Sequence, residues 1–270
     1  MAVIVAVPVI GMTIIAPALT IIKNDLNISF ENTQLILTLY FTFLAFGQIL
    51  TGPFSDKYGR KPILLLGASI YSISAFFASL SSNIEILLIL RCFLGFGAAA
   101  CLSMARVIVN DSFQREEAAQ KLSFITAVMV IFPNVALISG GIIADTIGWR
   151  GSMFTLSIFG FFLFLCTLKF IPETKPLNFE KFSNPELLDS YYKVISNKTF
   201  LNFTILGATQ TAIFFSTFSF MPYEFERMGV SSTEFSIWLA FTGLGYFTGN
   251  LINEITHLKL VYLKCVLLDA

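Results

Sequence analysis

The stretch TQLILTLYFTFLAFGQILTGPFSDKYGRKPILLLGASIYSISAFFASLS, residues 33–81, decides the fold class. Residues 33–54 and 63–81 contain no charged side chain, whereas Asp56, Lys57, Arg60 and Lys61 crowd the short link between them. An apolar run of this length forms a helix of roughly 30 Å, enough to cross a hydrocarbon core. The pattern recurs along the chain. Eight windows (2–22, 33–54, 63–81, 86–109, 122–143, 151–171, 200–221, 235–253) hold 170 of the 270 residues but only three charges, Arg91, Arg106 and Lys169. Charged residues make up 13% of the chain, about half the share usual in soluble domains, and the mean hydropathy is +0.78. These observations predict an all-α, polytopic helical membrane protein whose first partner is the lipid bilayer.

The same arithmetic excludes other classes. A net charge of zero without a long basic run gives no electrostatic footprint for nucleic acid. The windows hold no His, Asp or Glu, which argues against an intramembrane enzyme and against a bound metal, and no cofactor is expected. Cys92, Cys101, Cys166 and Cys265 form no CxxC pair and read as packing thiols. The first window lacks a basic leader and exceeds a signal-peptide core, so it is read as a retained helix. The 30 phenylalanines read mainly as lipid-facing bulk.

Basic residues orient membrane helices, because Lys and Arg favour cytoplasmic loops. With Met1 inside, twelve basic residues fall at inner connectors or inner helix ends and three, Lys23, Arg150 and Arg227, fall outside. The polar stretch 172–199 carries eight charges and reads as a cytoplasmic linker. The expected organisation is a six-helix bundle over 1–171, that linker, and an incomplete second bundle over 200–270. The last part comprises two spans and an apolar stretch, 260–268, too short to cross.

Three segments carry the chemistry. In the first link, glycines permit a tight reversal, the cations anchor it on the inner face, and Asp56 can cap a helix or pair with a cation. In the fourth span, Gly95 and the small run Gly97 to Ala100 invite close helix packing. Arg91 lies roughly 7.5 Å inside the outer edge of that span. It either snorkels to the interface or faces a cavity or partner. In the fifth span, Pro133 with Gly140 and Gly141 suits a kinked or gating helix. Of the other polar residues in the spans, Gln34, Gln48, Asn202, Tyr246 and Asn250 are read as interhelical hydrogen-bonding groups, and Gly245-x-x-x-Gly249 as a packing face.

Gly52, Asp56, Lys57, Gly59, Arg60 and Lys61 fill the pattern G-x-x-x-D-(R/K)-x-G-R-(R/K), which resembles the signature loop of the major facilitator superfamily. The run Arg91-Cys92-Phe93-Leu94-Gly95-Phe96-Gly97-Ala98-Ala99-Ala100, followed by Ala105-Arg106-Val107-Ile108-Val109-Asn110-Asp111, is similar to the bicyclomycin-resistance (Bcr/CflA) branch of drug:proton antiporters. The resemblance implies a major facilitator fold, alternating access, and export of small, partly apolar molecules in exchange for protons. It assigns Arg91 to proton coupling and Gly52 to Lys61 to a conformational contact with the other half. Pro133, Ala136, Gly140 and Gly141 match the antiporter motif, with Leu137 where a second proline is expected. Pro17, Ala18 and Leu19 match the first-span pattern D-x-Y-L-P-A-L, but Thr13 stands where that pattern has its carboxylate. A proton carrier is then sought at helix ends, with Glu85, Asp56 and Asp111 as candidates. Tyr40, Asn134 and Gln210 are the implied cavity residues.

Two six-helix halves on this spacing need roughly 370 residues, and paired halves are how many carriers are built. The expectation is therefore a truncated transporter. It would be an inactive remnant, or one part of a split carrier completed by a separately encoded C-terminal fragment or by a second copy.

Overall fold

A computed structural model describes residues 1–175, 184–242 and 245. Among them are α1 (Ala2–Thr13), α2 (Leu19–Asp25), α3 (Phe30–Tyr58), α4 (Arg60–Ser79), α5 (Ile84–Ser112), α6 (Arg115–Thr146), α7 (Trp149–Phe170), α8 (Asn184–Ser196) and α9 (Lys198–Arg227). Residues 232–242 are again helical. The described residues contain six segments long and apolar enough to cross a membrane, Val3–Asp25 among them. Gly249, the end of the last window and the 260–268 stretch lie outside the described residues, as does Cys265.

The helices outrun the windows, because a chain can remain helical after it leaves the hydrocarbon. α3 continues four residues beyond its window, and the whole link to α4 is Gly59. The first span differs in the opposite sense. Pro17 has no N–H to donate, and the helix breaks over Ile14–Ala18 into a 3₁₀ turn (Ala16–Ala18). There the Ile15 N–H donates to Met12 O, an i–3 bond of 3.3 Å, leaving the Gly11 carbonyl open to another partner.

α5 is the centre of the packing, with α3 and α4 against it, α7 outside α4, and α1 between α5 and α6. Its small residues set the spacing. A Cβ on Gly95 would lie 2.3 Å from Tyr40 O on α3, and one on Gly97 would lie 2.7 Å from Gly67 O on α4. The backbones of three helices thus approach as closely as glycine allows. Phe46, Phe77, Phe161 and Phe162 are more than half exposed on the outer faces of α3, α4 and α7, as expected of surfaces meant for lipid. Phe41 instead packs on Phe215 of α9.

The linker contains α8, whose Tyr191 hydroxyl donates to Ile49 O on α3. α9 meets the six-helix unit along its C-terminal half. Phe30 packs on Phe220 and Tyr223, Gln34 exchanges hydrogen bonds with Ser219, and Asn24 donates to Glu226. Residues 202–214 of α9 are exposed.

Candidate transport site and inner loop

Arg91 is fully buried. It does not snorkel; of the two readings open from the sequence, the structure has the one in which Arg91 faces partners inside the bundle. The cause is the helix face: the small residues that press α5 onto α3 and α4 turn Arg91 inward toward α1 and α3. Its Nη1 donates to Gly11 O at 3.0 Å, the carbonyl released by the break in the first span, and its Nε donates to Ile36 O on α3 at 3.2 Å. The guanidinium stacks 4.5 Å from the centroid of Tyr40, a favourable cation–π contact in a desolvated setting. The Tyr40 hydroxyl donates to Pro8 O at 2.7 Å.

Tyr71 completes the cluster. A Cβ on Gly11 would lie 2.7 Å from the Tyr40 hydroxyl and 2.8 Å from that of Tyr71, so only glycine leaves room for both. Arg91 Nη2 and Tyr71 OH have no hydrogen-bond partner among the described residues. The windows contain no carboxylate, so the positive charge rests on carbonyls and an aromatic face. Such an arrangement is costly in lipid and leaves a donor ready for a proton acceptor or an anionic group. Tyr71 has no motif and no spacing that marks it. Only the fold brings it to Arg91.

The other expected residues divide. Thr13 is buried at the end of α1, two residues from Gly11, and its hydroxyl donates back to Val9 O at 2.9 Å. Asn134 and Pro133 are half-buried on α6, which stays helical through the proline. Gln210 is exposed on α9, and no contact joins it to Arg91. Gly140 and Gly141 mark two interfaces. A Cβ on Gly140 would lie 2.4 Å from Ile14 O in the break of the first span, and one on Gly141 would lie 2.6 Å from Ser232 O.

The α3–α4 loop is held by charge. Arg60 bridges Asp56 at 2.5 Å and Asp111 of α5 at 2.9 Å, and its Nη1 also donates to Ser55 Oγ. Two of the three carboxylates considered as proton carriers therefore share one guanidinium as their ion-pair partner. The third, Glu85, lies in the first turn of α5 and is exposed. Gly52 faces open space within α3, and the reversal is made by Gly59, whose φ of +103° and ψ of 162° suit glycine alone. Lys57 O accepts from Lys175 Nζ, and Lys61 Nζ donates to Leu168 O.

Glu173, beyond the end of α7, was not legible as part of this loop. It accepts from Arg60 N at 2.8 Å and Lys61 N at 3.2 Å, capping α4 from the segment that follows α7. Burial raises the Glu173 carboxyl, but the backbone N–H groups of Arg60, Lys175, Lys61 and Thr174 together bring it below the usual carboxylate range.

The sequence comparisons agree with this architecture, because the Major Facilitator Superfamily profile matches residues 1–268. The chain belongs to the major facilitator superfamily. It is an integral membrane protein. It is 32% identical over 167 residues to a bicyclomycin resistance protein homolog of Haemophilus influenzae, covering 62% of this chain and 42% of that protein. It is 28% identical over 249 residues to a chloramphenicol resistance protein of Pseudomonas aeruginosa, covering 91% and 58%. Among solved structures, a bacterial homologue of the human lysosomal transporter Spinster superposes with a TM-score of 0.75 at 20% identity, over 94% of this chain and 60% of the other. A D-xylose–proton symporter gives 0.70 at 13% identity, over 94% and 67%. The chain thus spans about 40 to 60% of the length of these curated relatives.

Proposed function

We propose that this superfamily member serves proton-coupled efflux of small, partly apolar molecules by alternating access. The observation that carries the proposal is the buried Arg91, held between α1 and α3 with one nitrogen unpartnered. Drug-resistance names among the relatives support an efflux role. Mechanistically, Arg91 ties the broken first span to α3 and α5, so an acceptor that draws the guanidinium away from Gly11 O loosens α1 from the bundle. Protonation of that acceptor, or departure of an anionic group, restores the bond. Thr13 contributes a hydroxyl near this junction and no charge.

The test is efflux of antibiotics and dyes from vesicles containing the 270-residue chain under an imposed proton gradient, with and without a companion fragment supplying the remaining spans. Gradient-dependent efflux that Arg91→Ala abolishes and Arg91→Lys partly retains is the expected result. Efflux unaffected by Arg91→Ala would remove the coupling role. Efflux only with the companion fragment would make the chain one part of a split carrier, and none in either case would make it an inactive remnant.

A further inference from the structure

The inner signature has an outer counterpart 89 residues on. Gly52, Asp56, Gly59 and Lys61 become Gly141, Asp145, Gly148 and Arg150, so both the α3–α4 and α6–α7 junctions read G-x-x-x-D-x-x-G-x-(K/R). The backbone repeats as well. Gly59 and Gly148 both have positive φ, +103° and +84°, and each is the N-cap of the following helix. Each junction is also tied to the end of a further helix. Arg60 pairs with Asp111 at the inner end of α5, and Arg150 with Trp149 Nε1 holds Asp25 at the outer end of α2.

The two aspartates differ in what they grip. Asp56 pairs within its own loop, whereas Asp145 reaches out of the six-helix unit. It accepts from Ser232 N at 3.2 Å, Thr233 N at 2.7 Å and Thr233 Oγ1 at 2.6 Å. Those groups open the helix that starts at residue 232. That helix has its own capping box, with Glu234 N bonded to Ser231 Oγ and Ser231 N to Glu234. The box leaves the N–H groups of the first two helical residues unpaired, and Asp145 takes both. One turn below, Gly141 lets Ser232 O and the buried Ser236 hydroxyl approach α6. Burial raises the Asp145 carboxyl, and the bonds from Thr233 and Ser232 outweigh it and leave it below the usual range.

We propose that Asp145 is the outer latch of this protein: a carboxylate on α6 that caps the helix beginning at residue 232 and holds the outer crevice closed. The crevice, about 180 Å³, lies between the first span, α9 and that helix, and Thr20, Asp145 and Ser232 line it. Opening it toward the outside requires α6 to part from residues 232 and 233, so the cap opposes that movement directly. The latch rests on the alternating-access reading, but it acts on accessibility and is measurable without transport.

The experiment measures the labelling rate of Thr20→Cys by an impermeant thiol reagent in intact cells expressing the full chain, with the four native cysteines replaced. Thr20 is buried while the crevice is closed. Asp145→Ala is expected to raise the rate about fivefold, the change that losing a typical N-cap produces. Asp145→Asn keeps one of the two acceptor oxygens and should give a rate between those of the parent and Asp145→Ala. Ser232→Pro removes one of the two capped N–H groups at the first helical position, where proline is tolerated, and should give a smaller rise. Should Asp145→Ala fail to accumulate, Ser232→Pro carries the test. Equal rates in Ala and parent, or a rise in Asn as large as in Ala, would overturn the latch. Absence of transport in the parent, with labelling rates that follow the expected order, would count against the efflux reading alone.

Discussion

Replacing Glu173 with alanine removes the cap on α4 while leaving every helix of the bundle in place. The carboxylate takes the N–H groups of Arg60 and Lys61, two of the four donors that a helix start leaves open. Loss of an N-cap costs about 1 kcal/mol, and the negative charge at a helix N-terminus adds about 0.5 kcal/mol at an exposed site. The sum, about 1.5 kcal/mol, corresponds to a fall in Tm of roughly 3–6 °C for a protein of this size. Intrinsic fluorescence in detergent can follow it, since Trp149 is buried. Glu173→Gln should lie between parent and alanine. The pH dependence has a fixed sign. The folded carboxyl sits below its usual value, so its stabilisation is complete above the ordinary carboxylate pKa and is lost as pH falls through the depressed one. The gap between parent and Glu173→Gln should therefore be full at pH 7 and close below about pH 4. A Glu173→Ala protein melting within 1 °C of the parent at pH 7, or a gap that persists unchanged in acid, would refute the capping argument.

Two further expectations concern packing and orientation. Gly95→Val forces atoms into the space where a Cβ already meets Tyr40 O at 2.3 Å; it should cost about 1–3 kcal/mol, read as a lowered Tm and reduced yield, and a parent-like melt would show that α3 and α5 are not pressed together there. Tyr58→Cys, at an exposed inner position, should resist an impermeant reagent in intact cells and react in inside-out vesicles, whereas Asn27→Cys should do the reverse. Ser55 is a poorer probe because it is buried, and labelling of Tyr58→Cys from outside would invert the orientation.

The spans were legible because lipid imposes a rule that each residue obeys separately. A charge inside a window is costly wherever the helix points, so charge-free runs alone mark α3 and α4. Facing is different. Whether Arg91 snorkels or turns inward depends on which side of α5 meets its neighbours, and that is set jointly by Gly95, Gly97 and the backbones of α3 and α4. Tyr71 joins the cluster through the same packing and carries no local signal. The break in the first span was announced by Pro17, yet its use, a carbonyl given to Arg91, lies in a helix 80 residues away. Glu173 and Asp145 cap helices to which no short-range pattern connects them. Gln210, which the resemblance implies as a cavity residue, is exposed on α9, and its surroundings depend on packing that no local pattern encodes.

The glycine contacts of α5 have a mechanical consequence. With Gly95 against α3 and Gly97 against α4, three helices are clamped backbone to backbone, and such a contact has almost no side chain to deform. The clamped helices behave as a plate. Compliance is left to its edges: the knuckle in the first span, the short hinges at Gly59 and Gly148, and the seam where Asp145 meets the helix that starts at residue 232. Arg91 is mounted on the plate but grips the knuckle, so a change of force on its guanidinium is delivered to a joint and not dissipated within the block.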